Sequence, residues 1–174
     1  RAIGIVSDPN TGGILAMVSL PAFDNNDFSG GINPSIYQNY LHDENKPLFN
    51  RAISGLFPSG SVIKPAIAYA ALQEGVITGQ TAFLSVGGIQ IGDWFFPDWL
   101  AGGHGMTNVR KSLASSVNTF YYYIGGGYKD FVGLGVDLIT KYLKYFGFGQ
   151  KLGIDLPGEK AGLVPSKQWK EATT

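Results

Sequence analysis

An uncharged apolar run at residues 66–72 constrains the fold of this sequence more than any other feature. Gln73, Glu74 and Gly75 then supply a polar end and a residue that commonly stops helices. A helix that is apolar on all sides must be surrounded by protein. We therefore predict a central helix, with the segment 57–65 leading into it and the rest of the chain packed around it.

Two polar residues, Ser61 and Lys64, stand at the start of this predicted helix. Residues three apart share one helix face, so their hydroxyl and amine are predicted to be neighbours. A lysine in the first turn faces the positive end of the helix dipole, which disfavours its charge by roughly 0.3–1 kcal/mol, and burial disfavours it further. A lysine pushed towards neutrality is a base that can activate the serine as a nucleophile. The alternative is an ordinary helix beginning, with Ser61 as N-cap and Lys64 solvated, delayed or kinked by Pro65.

Composition bounds the class of protein. The 174 residues suit one domain, and 44% hydrophobic against 15% charged residues is typical of a chain that builds a core. The 13 basic and 13 acidic residues balance, which gives no electrostatic basis for binding nucleic acid or an anionic membrane. Cysteine is absent, and no run reaches the roughly 18 apolar residues of a membrane segment. Both ends fall inside element-like patterns, so we expect an excised part of a longer protein.

The chain opens with two β-rich runs, Ala2–Ser7 and Ile14–Leu20, around the turn residues 8–13, a pattern that predicts a hairpin. Both runs are apolar at most positions, so we expect both faces to be covered and further strands beside them. Short strands are predicted at 81–86 and 88–92, and helices at 35–41, 109–114, 119–124 and 136–146. An aromatic cluster at 94–99 is expected to pack in the core, or otherwise to line a ligand groove.

A second polar group, Ser116 and Asn118 on either side of Val117, separates two predicted helices. Serine and asparagine are common N-cap and turn residues, and either can cap the helix that follows. If Ser61 and Lys64 form a reactive pair, these side chains can point into the same cleft. The hydroxyl can then relay a proton, and the amide can hold a substrate carbonyl.

Ser61-x-x-Lys64 followed by Ser116-x-Asn118 resembles the first two of three motifs in penicillin-binding proteins and serine β-lactamases. The surrounding sequence resembles class B penicillin-binding proteins, and the later segments resemble their elongation-type D,D-transpeptidases. The likeness covers nearly the whole chain. The segments that carry it are Asp8-Pro9-x-Thr11-Gly12, the run 14–19, Asn50-Arg51-Ala52, Pro58-x-Gly60, the run 116–120, Phe146-Gly147-x-Gly149, the run 153–159 and Trp169-Lys170.

The resemblance implies an α+β (α/β) fold of the penicillin-binding protein/β-lactamase-like transpeptidase type, truncated, with a mainly helical part and an N-terminal β-hairpin. It implies a partial transpeptidase domain over 1–174, with the hairpin of the main sheet at 1–20 and a mostly helical part at 21–174. The family's third motif, Lys-Thr/Ser-Gly on a strand, has no match here. We expect the chain to stop before that motif, and we expect this fragment alone to be impaired as an enzyme.

The resemblance also implies roles and partners. Ser61 is expected to be acylated by D-Ala-D-Ala stem peptides and by β-lactams, with Lys64 taking its proton, Ser116 relaying it and Asn118 binding substrate. No cofactor and no nucleic acid are expected. In the full-length family a membrane anchor places the domain on the extracytoplasmic (periplasmic) face of the bacterial cytoplasmic membrane, beside a lipid-linked glycan polymerase.

Three further possibilities remain at this point. A β-lactamase or a β-lactam sensor would share the fold, and the missing third motif leaves room for a non-catalytic folding or interaction fragment.

Asp98 and His104 are the only candidate metal pair, in a region where some elongation-type relatives carry a metal. With one histidine and no cysteine nearby, we expect no metal there and a surface-loop histidine.

Overall fold

The computed structural model describes residues 1–173, and they form two compact units. The first unit comprises Arg1–Phe57 with Lys151–Lys160, and the second comprises Pro58–Gln150 with the segment from Ala161 onward. The prediction of one partial transpeptidase domain over 1–174, divided at residue 20, is not tested by this division and stays a prediction.

In the first unit, β1 (Ala2–Ser7) and β2 (Ile14–Leu20) pair antiparallel, which confirms the predicted hairpin. Its register places Ala2 opposite Leu20. The turn closes through the N–H of Asp8 on the carbonyl of Gly13, at 2.9 Å. The expectation that both faces are covered is wrong for the described residues. Side chains along both strands are exposed, because β1 and β2 pair only with each other within residues 1–173.

Two helices complete the regular part of this unit, besides a 3₁₀ turn at Asn25–Phe28. Helix α1 (Pro34–His42) lies where the sequence predicts one, and its N-cap Asn33 accepts a hydrogen bond from the N–H of Ser35. Helix α2 (Arg51–Ser54) contacts both strands of the hairpin. Asparagine caps and Pro34 in the first turn thus set where these helices begin.

The second unit contains two small antiparallel sheets. One pairs β3 (Ala82–Ser85) with β6 (Gly105–Asn108), and the other pairs β4 (Gly88–Ile91) with β5 (Trp94–Pro97). Neither β5 nor β6 was predicted as a strand from the sequence. The two strands predicted at 81–86 and 88–92 are confirmed. The prediction that the aromatic cluster at 94–99 packs in the core is wrong, because Trp94 is 76% exposed and Trp99 is 62% exposed.

The described part of this unit contains five α-helices, besides a 3₁₀ turn at Gly60–Ile63. They are α3 (Lys64–Gln73), α4 (Val109–Ala114), α5 (Asn118–Gly126), α6 (Gly135–Tyr145) and α7 (Lys167–Thr173). Helix α3 contacts α4, α5 and α6, and Ala70 and Ala71 in its middle are fully buried. The central-helix prediction is therefore confirmed, although Tyr69 on α3 is half exposed. Within residues 1–173 no helix combines the length and the apolar character needed to cross a bilayer.

Ile124 tests the contribution of this core. Its side chain is fully buried among residues of α3, α5 and α6, so Ile124→Ala leaves a cavity. We expect the free energy of unfolding to fall by about 2–5 kcal/mol. Chemical denaturation of the protein that carries this sequence measures the change. Val132, which is 83% exposed, provides the control, since Val132→Ala should stay within about 0.5 kcal/mol.

Candidate active site

Ser61 and Lys64 lie on either side of a change in helix type. Ser61 belongs to a 3₁₀ turn at Gly60–Ile63, and α3 begins at Lys64 with Pro65 in its first turn. Proline lacks an N–H, which is tolerated only where a helix has no partner for that group. Pro65 therefore fixes the start of α3 after Ser61.

The ordinary helix beginning is wrong for this site. No side chain caps α3, so Ser61 is not its N-cap, and its side chain is exposed. Lys64 is only 7% exposed and is not solvated. An exposed hydroxyl next to a buried amine is the arrangement expected of a nucleophile and its base.

The structure brings the four predicted site residues together. Lys64 Nζ donates to Asn118 Oδ1 at 2.6 Å, to the Ser116 carbonyl at 2.7 Å and to Ser116 Oγ at 3.0 Å. Ser116 Oγ in turn donates to Ser61 Oγ at 2.9 Å. In the part of the chain that the structure describes, hydrogen bonds connect the amine to the Ser61 hydroxyl through Ser116. The sequence predicted the hydroxyl and the amine as neighbours on one helix face, and the structure joins them by hydrogen bonds through Ser116 Oγ.

The environment of Lys64 moves its amine towards the neutral form. Burial lowers the pKa of Lys64 from its ordinary value of 10.5, and the charge of Asp98 partly opposes this shift. Lys64 Nζ lies over the ring of Tyr121, 5.3 Å from the ring centroid, and this contact favours the charged form of the amine. Desolvation exceeds the Asp98 interaction, so the amine loses its proton more easily than a solvated lysine does.

The Ser116-Val117-Asn118 turn has an unusual backbone. Ser116 has φ of +51°, a left-handed conformation that a non-glycine residue adopts only where its surroundings hold it. Val117 occupies the N-cap of α5 and has no polar side chain to accept from the first N–H groups. Asp98 accepts them instead, a role that the sequence did not indicate because Asp98 lies 20 residues before Asn118.

Asp98 and His104 do not form a metal site of a usual kind. His104 Nε2 lies 3.7 Å from Asp98 Oδ1, and no third histidine, cysteine, aspartate or glutamate joins them within residues 1–173. The next side chains on the carboxylate are the hydroxyls of Ser85 and Thr119. This donor set does not fit a zinc ion, which takes three or four nitrogen, thiolate or carboxylate ligands. The expectation of no metal stays a prediction.

His104 is not the surface-loop histidine that the sequence predicts. Its side chain is 7% exposed, and its ring packs edge-on against Trp99 with centroids 5.0 Å apart. Its Nε2 is buried without a hydrogen-bond partner among the described residues. Trp99 is itself held beside the residue that precedes Ser116, because its Nε1 donates to the carbonyl of Ser115 at 3.1 Å.

Comparison with known families identifies nearly the whole length of the chain. Residues 2–174 match the family described as "Penicillin binding protein transpeptidase domain". The peptidoglycan D,D-transpeptidase MrdA of Escherichia coli (strain K12) is 40% identical over 173 residues, which cover 98% of this chain and 26% of MrdA. The chain thus spans about a quarter of the length of that relative.

Solved structures give the same relationship. The crystal structure of Pseudomonas aeruginosa PBP2 in complex with WCK 5153 is similar with a TM-score of 0.88 and 35% identity, over 99% of this chain and 37% of that one. PBP2 of Helicobacter pylori in its complex with MreC is similar with a TM-score of 0.89 and 34% identity, over 99% of this chain and 31% of that one.

Proposed function

Because this chain belongs to the penicillin-binding protein transpeptidase family, we propose that it supplies the acylating residues of a peptidoglycan D,D-transpeptidase. The resemblance to elongation-type enzymes and the predicted transpeptidase fold are both confirmed by these relatives. The activity, the residue roles and the partners given below are proposals.

One observation carries the proposal: a continuous path of hydrogen bonds runs from the Lys64 amine through Ser116 Oγ to Ser61 Oγ. In the proposed acylation, Ser61 Oγ attacks the carbonyl carbon of the penultimate D-Ala of a stem peptide. When Lys64 is neutral, both hydrogen bonds of this path can reverse their direction. The Ser61 proton then passes to Ser116 Oγ, while the Ser116 proton passes to Lys64 Nζ. The chain of two hydroxyls thus gives a buried base access to an exposed nucleophile.

Collapse of the resulting tetrahedral intermediate breaks the peptide C–N bond. Ser116 then returns a proton to the leaving amine of the terminal D-Ala, and Lys64 replaces the proton on Ser116. An amine of a second stem peptide attacks the acyl-enzyme, gives up its proton along the same path and restores the Ser61 hydroxyl. A cross-link forms, and the enzyme ends in its starting protonation state.

Asn118 is proposed to orient the substrate. Its Oδ1 accepts from Lys64 Nζ, so its amide N–H₂ is the group available to donate to a substrate carbonyl. The backbone N–H of Ser61 is proposed as one donor for the developing oxyanion. In the family the other donor comes from the strand of the third motif, which this sequence lacks. Loss of one oxyanion donor lowers rates by about 10²–10³, so we expect the 174-residue chain alone to react slowly.

The proposed partners follow from the family and its members. Stem peptides and β-lactams are proposed to acylate Ser61, and the relative from P. aeruginosa is known in complex with WCK 5153. The relative from H. pylori is known in complex with MreC, so an elongation assembly with a lipid-linked glycan polymerase is proposed for the protein that carries this sequence. Its proposed location is the extracytoplasmic, periplasmic face of the bacterial cytoplasmic membrane.

The experiment that tests this function uses the full-length protein that carries this sequence. Fluorescent penicillin should label it with one equivalent, and a D-Ala-D-Ala peptide with an amine acceptor should release D-Ala and yield a cross-linked product. Steady turnover of nitrocefin with no cross-linked product would instead indicate a β-lactamase. Labelling without release of D-Ala would indicate a sensor, and no reaction with any of these would indicate a non-catalytic role.

Ser116 offers a direct test of the proton path. Ser116→Ala removes the only side chain that connects Lys64 Nζ with Ser61 Oγ by hydrogen bonds among the described residues, so we expect acylation by fluorescent penicillin to slow by about 10²-fold or more. Ser115→Ala removes a neighbouring hydroxyl that is outside this path and should react at the wild-type rate. Equal rates for Ser116→Ala and the wild type would contradict a relay through this residue.

A further inference from the structure

The second motif lies at the start of α5: Asn118 is the first residue of the helix, and Ser116 precedes its N-cap, which forms no side-chain capping hydrogen bond. The N–H groups at a helix N-terminus have no partner within the helix and need an acceptor from elsewhere. Val117 at the N-cap has a fully buried apolar side chain and forms no capping hydrogen bond. The preceding residue, Ser116, is held in the left-handed region at φ +51°. The turn therefore depends on a group outside its own sequence for its position.

That group is the carboxylate of Asp98. Its Oδ2 accepts from the Thr119 N–H at 2.8 Å and from Thr119 Oγ1 at 2.6 Å. Its Oδ1 accepts from the N–H of Asn118 at 3.2 Å and from that of Trp99 at 2.9 Å. The Asp98 side chain has no exposed surface. Burial alone would raise the pKa of Asp98, but the hydrogen bonds from Thr119, Asn118 and Trp99 outweigh it and the pKa is lowered, so the carboxylate is charged.

This cap connects to the reactive group over a short path. Asn118 donates its backbone N–H to Asp98, and its side-chain Oδ1 accepts from Lys64 Nζ. The carbonyl and the hydroxyl of Ser116 accept from the same amine. The three acceptors of Lys64 Nζ among the described residues all belong to Ser116 and Asn118, so a shift of the turn that leads into α5 would move them together. The same carboxylate also acts on Lys64 through its charge.

We propose that Asp98 is a positioning residue for acylation, whose carboxylate caps α5 and thereby holds Ser116 Oγ and Asn118 Oδ1 against the Lys64 amine. This inference rests on the proposed function, since it concerns the same reaction. Asp98 acts through Asn118 and Thr119 and need not touch the substrate.

Asp98→Asn tests the inference most directly. An amide presents N–H₂ where one carboxylate oxygen now accepts, so in either orientation it opposes the N–H of Thr119 or those of Trp99 and Asn118. We expect the rate constant for acylation by fluorescent penicillin to fall by about tenfold to a hundredfold in the full-length protein that carries this sequence.

The pH dependence provides a readout that a merely structural role would not change. The titratable groups near the carboxylate are Lys64, His104 at 3.7 Å and Tyr122, whose pKa is raised first by burial and then by Asp98. Because the Asp98 charge raises the pKa of Lys64, its removal lets Lys64 deprotonate at lower pH. The acidic limb of the acylation rate of Asp98→Asn should therefore shift to lower pH.

Two further variants complete the test. Thr119→Val removes the hydroxyl donor but keeps the backbone hydrogen bonds and the carboxylate charge. We therefore expect the acylation rate constant to fall by about threefold to tenfold, with the acidic limb of its pH profile in the wild-type position. Asp93→Asn removes an exposed carboxylate between β4 and β5 and should behave as the wild type. Thermal melting of each variant shows whether it is folded.

The outcomes separate this inference from the proposed function. Wild-type rates and pH profiles in both Asp98→Asn and Thr119→Val would overturn the role of Asp98 and leave the acylation of Ser61 intact. A smaller labelled fraction with an unchanged rate constant would also overturn it, since that result indicates stability alone. If Asp98→Asn does not fold, the rate for Thr119→Val decides. Absence of labelling in the wild type would overturn the proposed function, and this inference with it.

Discussion

Replacing Ser61 by alanine is expected to abolish covalent labelling by fluorescent penicillin in the full-length protein that carries this sequence. The reason is structural: Ser61 Oγ is the exposed end of the hydrogen-bonded path from Lys64, and no other hydroxyl receives the hydrogen bond of Ser116 Oγ among residues 1–173. Without that oxygen no acyl-enzyme can form. Removal of a nucleophile of this kind lowers rates by about 10⁶ in the best-studied serine enzymes, which is below detection in a gel assay.

The control for Ser61→Ala is close in sequence. Ser59 is exposed, lies two residues earlier and makes no capping hydrogen bond, so Ser59→Ala should label as the wild type does. Both variants should melt at about the wild-type temperature, because neither hydroxyl is buried. Full labelling of Ser61→Ala, with mass spectrometry placing the adduct on another residue, would remove Ser61 from the mechanism.

Replacing Lys64 by methionine is expected to lower the acylation rate by about 10²–10⁴, the usual contribution of a general base. Methionine keeps the length of the buried side chain but has no amine to receive the proton that passes through Ser116. The change also leaves Asn118 Oδ1 and the Ser116 carbonyl without the donor they now share. Stopped-flow measurement of acylation with a chromogenic or fluorescent β-lactam checks the prediction.

The pH profile distinguishes a lost base from a disturbed site. Only neutral Lys64 can accept the proton, so wild-type acylation should rise with pH and level off below 10.5, since burial lowers the pKa of this lysine. Lys64→Met should lack this rise. Lys144→Met, at an exposed position on α6, should keep both the rate and the profile. A profile with the same rise in Lys64→Met would show that another group is the base.

The lowered pKa of Lys64 also makes the stability of the fold depend on pH. The pKa of Lys64 is lower in the folded than in the unfolded chain, so the unfolded chain holds this proton more tightly. Stability should therefore increase as pH rises from the folded-state pKa towards 10.5, and this contribution should be absent in Lys64→Met.

Local sequence was a good guide wherever neighbouring residues decide the structure. The hairpin at Ala2–Ser7 and Ile14–Leu20 follows from apolar runs around a turn, and α4 begins after Asn108, whose side chain accepts from the N–H of Lys111. The four site residues were identifiable because their spacing resembles a known motif set. The motifs give residue types at fixed intervals, and they do not give the distances between side chains.

Burial was predicted less well, because it depends on elements distant in the chain. His104 was predicted at the surface, but it is buried and packs edge-on against Trp99. The aromatic cluster at 94–99 was predicted in the core, but its Trp99 is exposed. The apolar strands of the hairpin are exposed in the described residues, although their sequence is typical of strands covered on both faces.

The sequence by itself determined that a long apolar helix would form the centre and that a serine and a lysine would stand at its beginning. Helix propensity, the absence of charge at 66–72 and the position of Pro65 act over one or two turns, so they are present in the sequence alone. Only the tertiary structure decided that Ser116 lies between the amine and Ser61, and that Asp98 caps α5. Those contacts join residues 20 to 55 positions apart, and they exist because packing of α3 against α4 and α5 brings separate segments within hydrogen-bonding distance.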